Sequence, residues 1–224
     1  MNIKIRHFIA MILVLWLGYF SFNAQYLFGK THKSKKQTQK AISRKQASIQ
    51  ESLKKLKTYL IGYDNISFDF INVRPAVYPI SSTNIFSNEY LKEKLLLNIL
   101  LWLGTPYRLA GSSKKGVDCS NFVAQIIQST LHINFPANAQ TQSKLFSPIY
   151  NFEDLTFGDL LFFSGRSKKS KRIGHVGIYL GNGIFAHSST GRGVIITHIS
   201  ESYYTERFRF GGRINADLLN IVLK

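Results

Sequence analysis

The sequence holds a single cysteine, and only 12 acidic residues against 29 lysines and arginines in 224. One cysteine excludes an internal disulfide, which leaves Cys119 as a buried filler, an intermolecular partner or a reactive thiol. The shortage of acids gives a formal net charge of +17. Such charge points to a polyanionic neighbour such as nucleic acid, anionic lipid headgroups or an acidic cell wall, without choosing among them. The sequence also has no internal repeat. Apolar residues, by contrast, are plentiful: 45% hydrophobic and 13% aromatic exclude wholesale disorder. A chain of this length suits one well-buried domain with attachments.

The N-terminus carries Lys4 and Arg6 ahead of an apolar run from Phe8 to Phe20, followed by Ser21-Phe22-Asn23-Ala24-Gln25. A basic start, a short apolar run and a small residue before Gln25 are expected of a secretory signal peptide over residues 1–24, cut after Ala24. Phe22 stands where a small residue is preferred. The competing reading is an uncleaved inner-membrane anchor over residues 8–28, since the run falls short of the ~20 apolar residues of a spanning helix but Tyr26, Leu27 and Phe28 extend it. On either reading the rest of the chain is exported, to the periplasm or cell envelope.

Residues 25–60 are expected to be a basic linker ending in a short helix. Between Lys30 and Lys57 stand ten lysines and arginines and one acid, Glu51, and Ile49, Leu53, Leu56 and Leu60 recur at helical spacing. Residues 61–87, with Pro75 and Pro79, read as an extended pre-domain segment. A catalytic domain is expected over 88–224. A helix capped by Ser87 runs through Leu91, Leu95, Leu96, Ile99, Leu100 and Leu103, and a second begins around Asp118 with Phe122, Val123, Ile126, Ile127 and Leu131 on one face. Asn138–Leu145 forms a third, shorter helix. Beyond Gly158 the period shortens to strands over Leu160–Phe163, His175–Leu180, Ile184–His187 and Val194–His198, with Gly181-Asn182-Gly183 as a hairpin turn. Helices first and antiparallel strands second is an α+β pattern.

Asp118 as N-cap places Cys119 in the first turn of a helix, where unpaired N–H groups and the helix dipole favour a thiolate. The same N–H groups could hold an oxyanion. A thiolate needs a base. His7 and His32 fall in the leader and linker, His132 ends a helix, and His198 faces solvent at the end of a strand. The hairpin brings His175, at the start of one strand, beside His187, at the end of the next, so that His187 can orient His175 and His175 can face the thiol. One Cys and two His without a carboxylate make a poor zinc site, and no metal or other cofactor is expected.

Taken together, Leu103-Gly104-Thr105-Pro106-Tyr107, Gly111, Asp118-Cys119-Ser120, Phe157-Gly158-Asp159-Leu160-Leu161-Phe162-Phe163, Gly174-His175-Val176-Gly177-Ile178-Tyr179-Leu180-Gly181-Asn182-Gly183 and Ala186-His187 resemble the NlpC/p60 family of bacterial cell-wall cysteine peptidases, over roughly residues 88–215. The resemblance implies a papain-like α+β fold with the nucleophile helix packed on an antiparallel sheet. It implies Cys119 as nucleophile, His175 as base and His187 as orienting residue. Tyr107 would line the site, and Asp118 and Ser120 would contact the stem peptide. The implied reaction is hydrolysis of peptide bonds in peptidoglycan, typically between D-glutamate and the diamino acid. Two departures bear on substrate preference. Arg108-Leu109-Ala110-Gly111 stands where the family often has Trp-Gly-Gly after its tyrosine, and Asn121 where it usually has glycine.

Peptidoglycan is therefore the expected partner of a monomeric enzyme, with anionic envelope polymers or a membrane surface engaging the basic linker. Nucleic acid is not expected, because the linker lacks interleaved aromatics. Two alternatives share the fold: the same triad acting on another amide or ester, and a non-catalytic wall-binding protein. A basic insertion, Ser164–Ile173, precedes His175 with Arg166, Lys168, Lys169, Lys171 and Arg172. It is either a solvated loop or a dock for carboxylates of the wall.

Overall fold

The structure, a computed structural model, describes residues 39–40, 42–44, 46–52, 54–55 and 84–222, with side chains as far as 219. The expected leader over 1–24, the linker as far as residue 38, the end of the short helix and the stretch 61–83 lie outside the described residues. Among the described residues no helix is long and apolar enough to cross a membrane.

Helix α1 (Glu89–Trp102) buries Leu95, Leu96, Ile99 and Trp102. Its N-cap is Asn88, whose side chain accepts from the Leu91 N–H. Ser87, expected in that role, instead ends a short 3-10 turn, Ile85–Ser87, capped by Asn84. Either side chain can cap a helix; the preceding turn moves the start by one residue. Ile85 and Phe86, expected in the extended segment, are 0% and 2% exposed in the main core.

After a small ribbon, β1 (Ser112–Ser113) and β2 (Gly116–Val117), helix α2 (Cys119–Leu131) presents Phe122, Val123, Ile126 and Ile127 to the core. Fully burying each such side chain stabilises the fold by about 1.5–3 kcal/mol. Helix α3 (Ala139–Ser143), capped by Asn138, follows.

Five antiparallel strands complete the fold: β3 (Leu160–Ser164), β4 (Ile173–Gly181), β5 (Ile184–Ser189), β6 (Gly193–His198) and β7 (Phe208–Gly212), in the order β6-β5-β4-β3-β7. This is the expected α+β architecture. The β4–β5 turn places Asn182 at φ +47 and Gly183 at φ +74, the left-handed pair that hairpin turns favour. Strand β7 was not anticipated. Its Phe208-Arg209-Phe210-Gly211-Gly212 is too short and too basic to stand out locally, and it becomes a strand by pairing with β3. The buried Asp159 carboxylate, 2.8 Å from the Arg213 guanidinium, ties the start of β3 to the end of β7.

The alternation of side chains splits the sheet. Leu160, Phe162, Val176, Ile178, Ala186 and Ile196 face α1 and α2, while Leu161, Phe163, Tyr179 and Phe185 form a second cluster with Tyr204, from the four-residue helix α4 (Ser202–Thr205). Helix α5 (Ala216–Val222) closes the described chain. Ahead of the domain, helical residues 46–52 rest on edge strand β6, where the buried Ser52 hydroxyl accepts the Ile196 N–H at 3.0 Å.

Candidate active site

Cys119 is the first residue of α2, and its sulfur lies within reach of its own N–H, that of Ser120 and that of Val176, the residue after His175. The Asp118 carboxylate organises this corner. One oxygen accepts the Asn121 N–H at 2.8 Å and the Ser120 hydroxyl at 3.0 Å; the other accepts the Ala110 N–H at 2.9 Å and the Asn121 amide at 3.2 Å. One side chain thus caps the helix and fastens the loop after Tyr107 to it. The expected lowering of the thiol pKa is overturned. Cys119 is 7% exposed, and burial, followed by the adjacent Asp118 charge, pushes its pKa up to about 11 despite the three amides.

The two histidines meet at the expected end of the β4–β5 hairpin, with His175 Nε2 3.0 Å from His187 Nδ1. His187 is fully buried, stacked on Phe185. Its Nε2 lies 3.1 Å from the Thr197 hydroxyl and 3.2 Å from the Tyr204 hydroxyl. Burial lowers the His175 pKa to about 4 and takes that of His187 well below its usual value, helped there by the nearby positive charges. Both rings are therefore neutral at pH 7. A neutral His187 that carries its proton on Nε2, donated to Thr197 or Tyr204, leaves Nδ1 to accept from His175 Nε2–H. Nδ1 of His175 is then the atom open to take a proton.

Thr197 and Tyr204 were missed in the sequence. A threonine directly after the apolar run Val194-Ile195-Ile196 was the available signal for the first. Nothing local marks Tyr204, which reaches His187 from α4 across 17 residues.

A cleft of ≈ 590 Å³ opens in front of the sulfur, lined by Tyr107, Asp118, Cys119, Ser120, Gln140, Arg166 and Arg172 among others. Tyr107 is half-buried, bridged to Val117. Burial, with the Cys119 and Asp118 charges, raises its pKa, while a hydrogen bond with Thr190 opposes this. Ser120 is buried, and its hydroxyl lies 3.0 Å from both the Asp118 carboxylate and the Ala137 carbonyl, sharing its one proton between them. Its hydroxyl braces the site. Among the described residues no group of three His, Cys, Asp or Glu side chains could hold a metal. The surrounding chemistry is a buried thiol, a neutral imidazole relay and a run of first-turn amides.

The description "NlpC/P60 family" attaches to a family model matching residues 104–213. The murein DD-endopeptidase MepS/murein LD-carboxypeptidase of Escherichia coli K12 is 35% identical over 131 residues, which make up 58% of this chain and 67% of that protein. A probable endopeptidase NlpC homolog of Haemophilus influenzae is 37% identical over 129 residues, 57% of this chain and 66% of that one. Among solved structures, an NLP/P60 family protein of Staphylococcus aureus, described as similar to lipoprotein, superposes with a TM-score of 0.53 at 24% identity. The match covers 62% of this chain and 45% of that chain and extends to the fold alone.

Proposed function

The chain belongs to the NlpC/P60 family, and from that premise we propose that it hydrolyses peptide bonds of peptidoglycan in the cell envelope, with Cys119 as nucleophile, His175 as base and His187 as orienting residue. The class, a cysteine peptidase acting on peptidoglycan, comes with the family. The observation that supports the residue roles is the 3.0 Å contact between His175 Nε2 and His187 Nδ1, beside a sulfur that the next backbone amide, that of Val176, reaches.

The ground state is a neutral thiol and a neutral imidazole. The Cys119 proton passes to His175 Nδ1 as sulfur attacks the scissile carbonyl carbon and the carbonyl electron pair moves onto oxygen. The Cys119 N–H, with the Tyr107 hydroxyl, holds that oxyanion. As the intermediate collapses, the C–N bond breaks and His175 Nδ1–H protonates the departing amine, leaving a thioester on Cys119. Water attacks the thioester, giving its proton to His175, which returns a proton to the sulfur as the acid leaves. During each step the positive charge on His175 is stabilised through Nε2–H by His187.

Two readings of the bond follow. The resemblance read from the sequence implies the D-glutamate–diamino acid bond. The names of the Escherichia coli relatives, MepS and murein DD-endopeptidase MepH, favour the D,D cross-link. Digestion of purified sacculi by the full chain and by Cys119→Ala, with products read by mass spectrometry, tests both. Fragments released by wild type alone are expected, and their masses name the bond. Equal release by the two proteins would remove Cys119 from the reaction, and none by either would overturn the peptidase reading itself. The basic linker is proposed to hold the enzyme near anionic envelope polymers, an interaction expected to weaken as salt rises.

A further inference from the structure

We propose that the loop between β3 and β4 is a carboxylate-binding wall of the cleft, in which Arg166 and Arg172 contact the substrate and select stem peptides with free carboxylates over their carboxamide counterparts. The inference rests on the peptidase reading above and adds the substrate feature that the site recognises.

The loop leaves the sheet at the irregularity after Phe163 and returns at Ile173, which pairs with Ser164. Its root is tight. A Cβ on Gly174 would stand 2.4 Å from the Gly165 Cα, so the two backbones are in contact there. The crossing is also fastened from outside. The Arg209 guanidinium donates to the Ser170 carbonyl at 3.3 Å and to that of Lys168, and Gln140 accepts the Ile173 N–H at 2.8 Å. A loop held by backbone contacts on both sides presents its side chains from a defined frame, which lowers the entropy lost when they bind.

The charges on this frame divide into two sets. Lys168 pairs with Glu206 at 3.3 Å, away from the cleft. Arg166 and Arg172 are exposed, line the cleft, and form no ion pair among the described residues. The single acid lining the same cleft, Asp118, already accepts from four donors on its own wall. The two guanidinium groups therefore face a cavity whose own anion is engaged elsewhere. Guanidinium matches the planar, two-oxygen geometry of a carboxylate, and a carboxamide offers neither the charge nor the second acceptor.

The test pairs a soluble stem peptide bearing free carboxylates with the same peptide carboxamidated. Wild type is expected to favour the carboxylate form about 10-fold or more in kcat/KM, mainly through KM, as for a charge-assisted hydrogen bond. In Arg166→Gln/Arg172→Gln the preference should fall to about 2-fold or less, and raised salt should erode it in wild type. Lys169→Gln, a charge removed from the same loop but outside the cleft lining, should keep the wild-type ratio. Equal use of both peptides by wild type, or a preference that survives in the double variant, overturns the proposal. If neither peptide is cut, the peptidase reading fails by itself. The wall is then read from binding of the two peptides to Cys119→Ala with and without the arginines, where equal affinities overturn it.

Discussion

The two walls of the cleft are built by opposite means. On the α2 wall the polar groups are spent inward: Asp118 accepts from four donors, Ser120 shares its one proton between Asp118 and the Ala137 carbonyl, and the thiol is nearly sealed. On the loop wall the backbone is fastened while the cleft-facing guanidinium groups are left for a ligand. Behind the cleft, outside its lining, stand two neutral histidines, whose protonation burial opposes. The contrast puts rigidity on the side proposed to do the chemistry and unmet charge on the side proposed to recognise substrate.

Removing the relay should separate the two functions most sharply. His187→Ala takes the hydrogen-bond acceptor from His175, and kcat is expected to fall about 10²–10⁴-fold with KM for the carboxylate peptide little changed. A parallel loss in KM would mean that the walls are not independent. The next largest effect is structural. Asp118→Ala deprives α2 of its N-cap and the Ala110 N–H of its acceptor, so stability to urea should drop by about 2 kcal/mol. The same change should lower the thiol pKa, read as alkylation rate against pH, because the carboxylate is one of the two causes of its rise. A thiol pKa that stays put would leave burial as the whole cause.

The third expectation concerns acid. As the proposed base, His175 has to be neutral to take the thiol proton, so kcat/KM should hold down to about pH 4 and then fall about tenfold per unit. The sign for stability follows from the same shift. The unfolded histidines take up protons near 6.5 and the folded ones only at lower pH, so the fold is favoured above 6.5 and loses that advantage as pH falls from 6.5 towards 4. An acid limb near 6.5 in the rate would place His175 in a wetter setting than its burial against Phe163 and His187 implies.

Much of this fold was legible because its signals are local. Asp118 caps α2 from the position expected of it, the turn at Gly181-Asn182-Gly183 sets the register that brings His175 and His187 together, and the apolar face of α2 follows the helical period. The start of α1 was displaced by one residue, because Asn88 and Ser87 are equally good caps and the turn before them made the choice.

What the sequence determined by itself was therefore the family pattern, most of the elements and the set of groups proposed to react, each carried by neighbours within a few residues. Tertiary structure alone decided the strand status of β7, the second contacts of His187 to Thr197 and Tyr204, the upward shift of the Cys119 pKa, and which of the loop's five cations face the cleft. Each of these depends on burial or on partners distant in the chain. The helix dipole acts locally and was foreseeable, whereas the desolvation that outweighs it exists only once β4 and the cleft walls have closed around the sulfur.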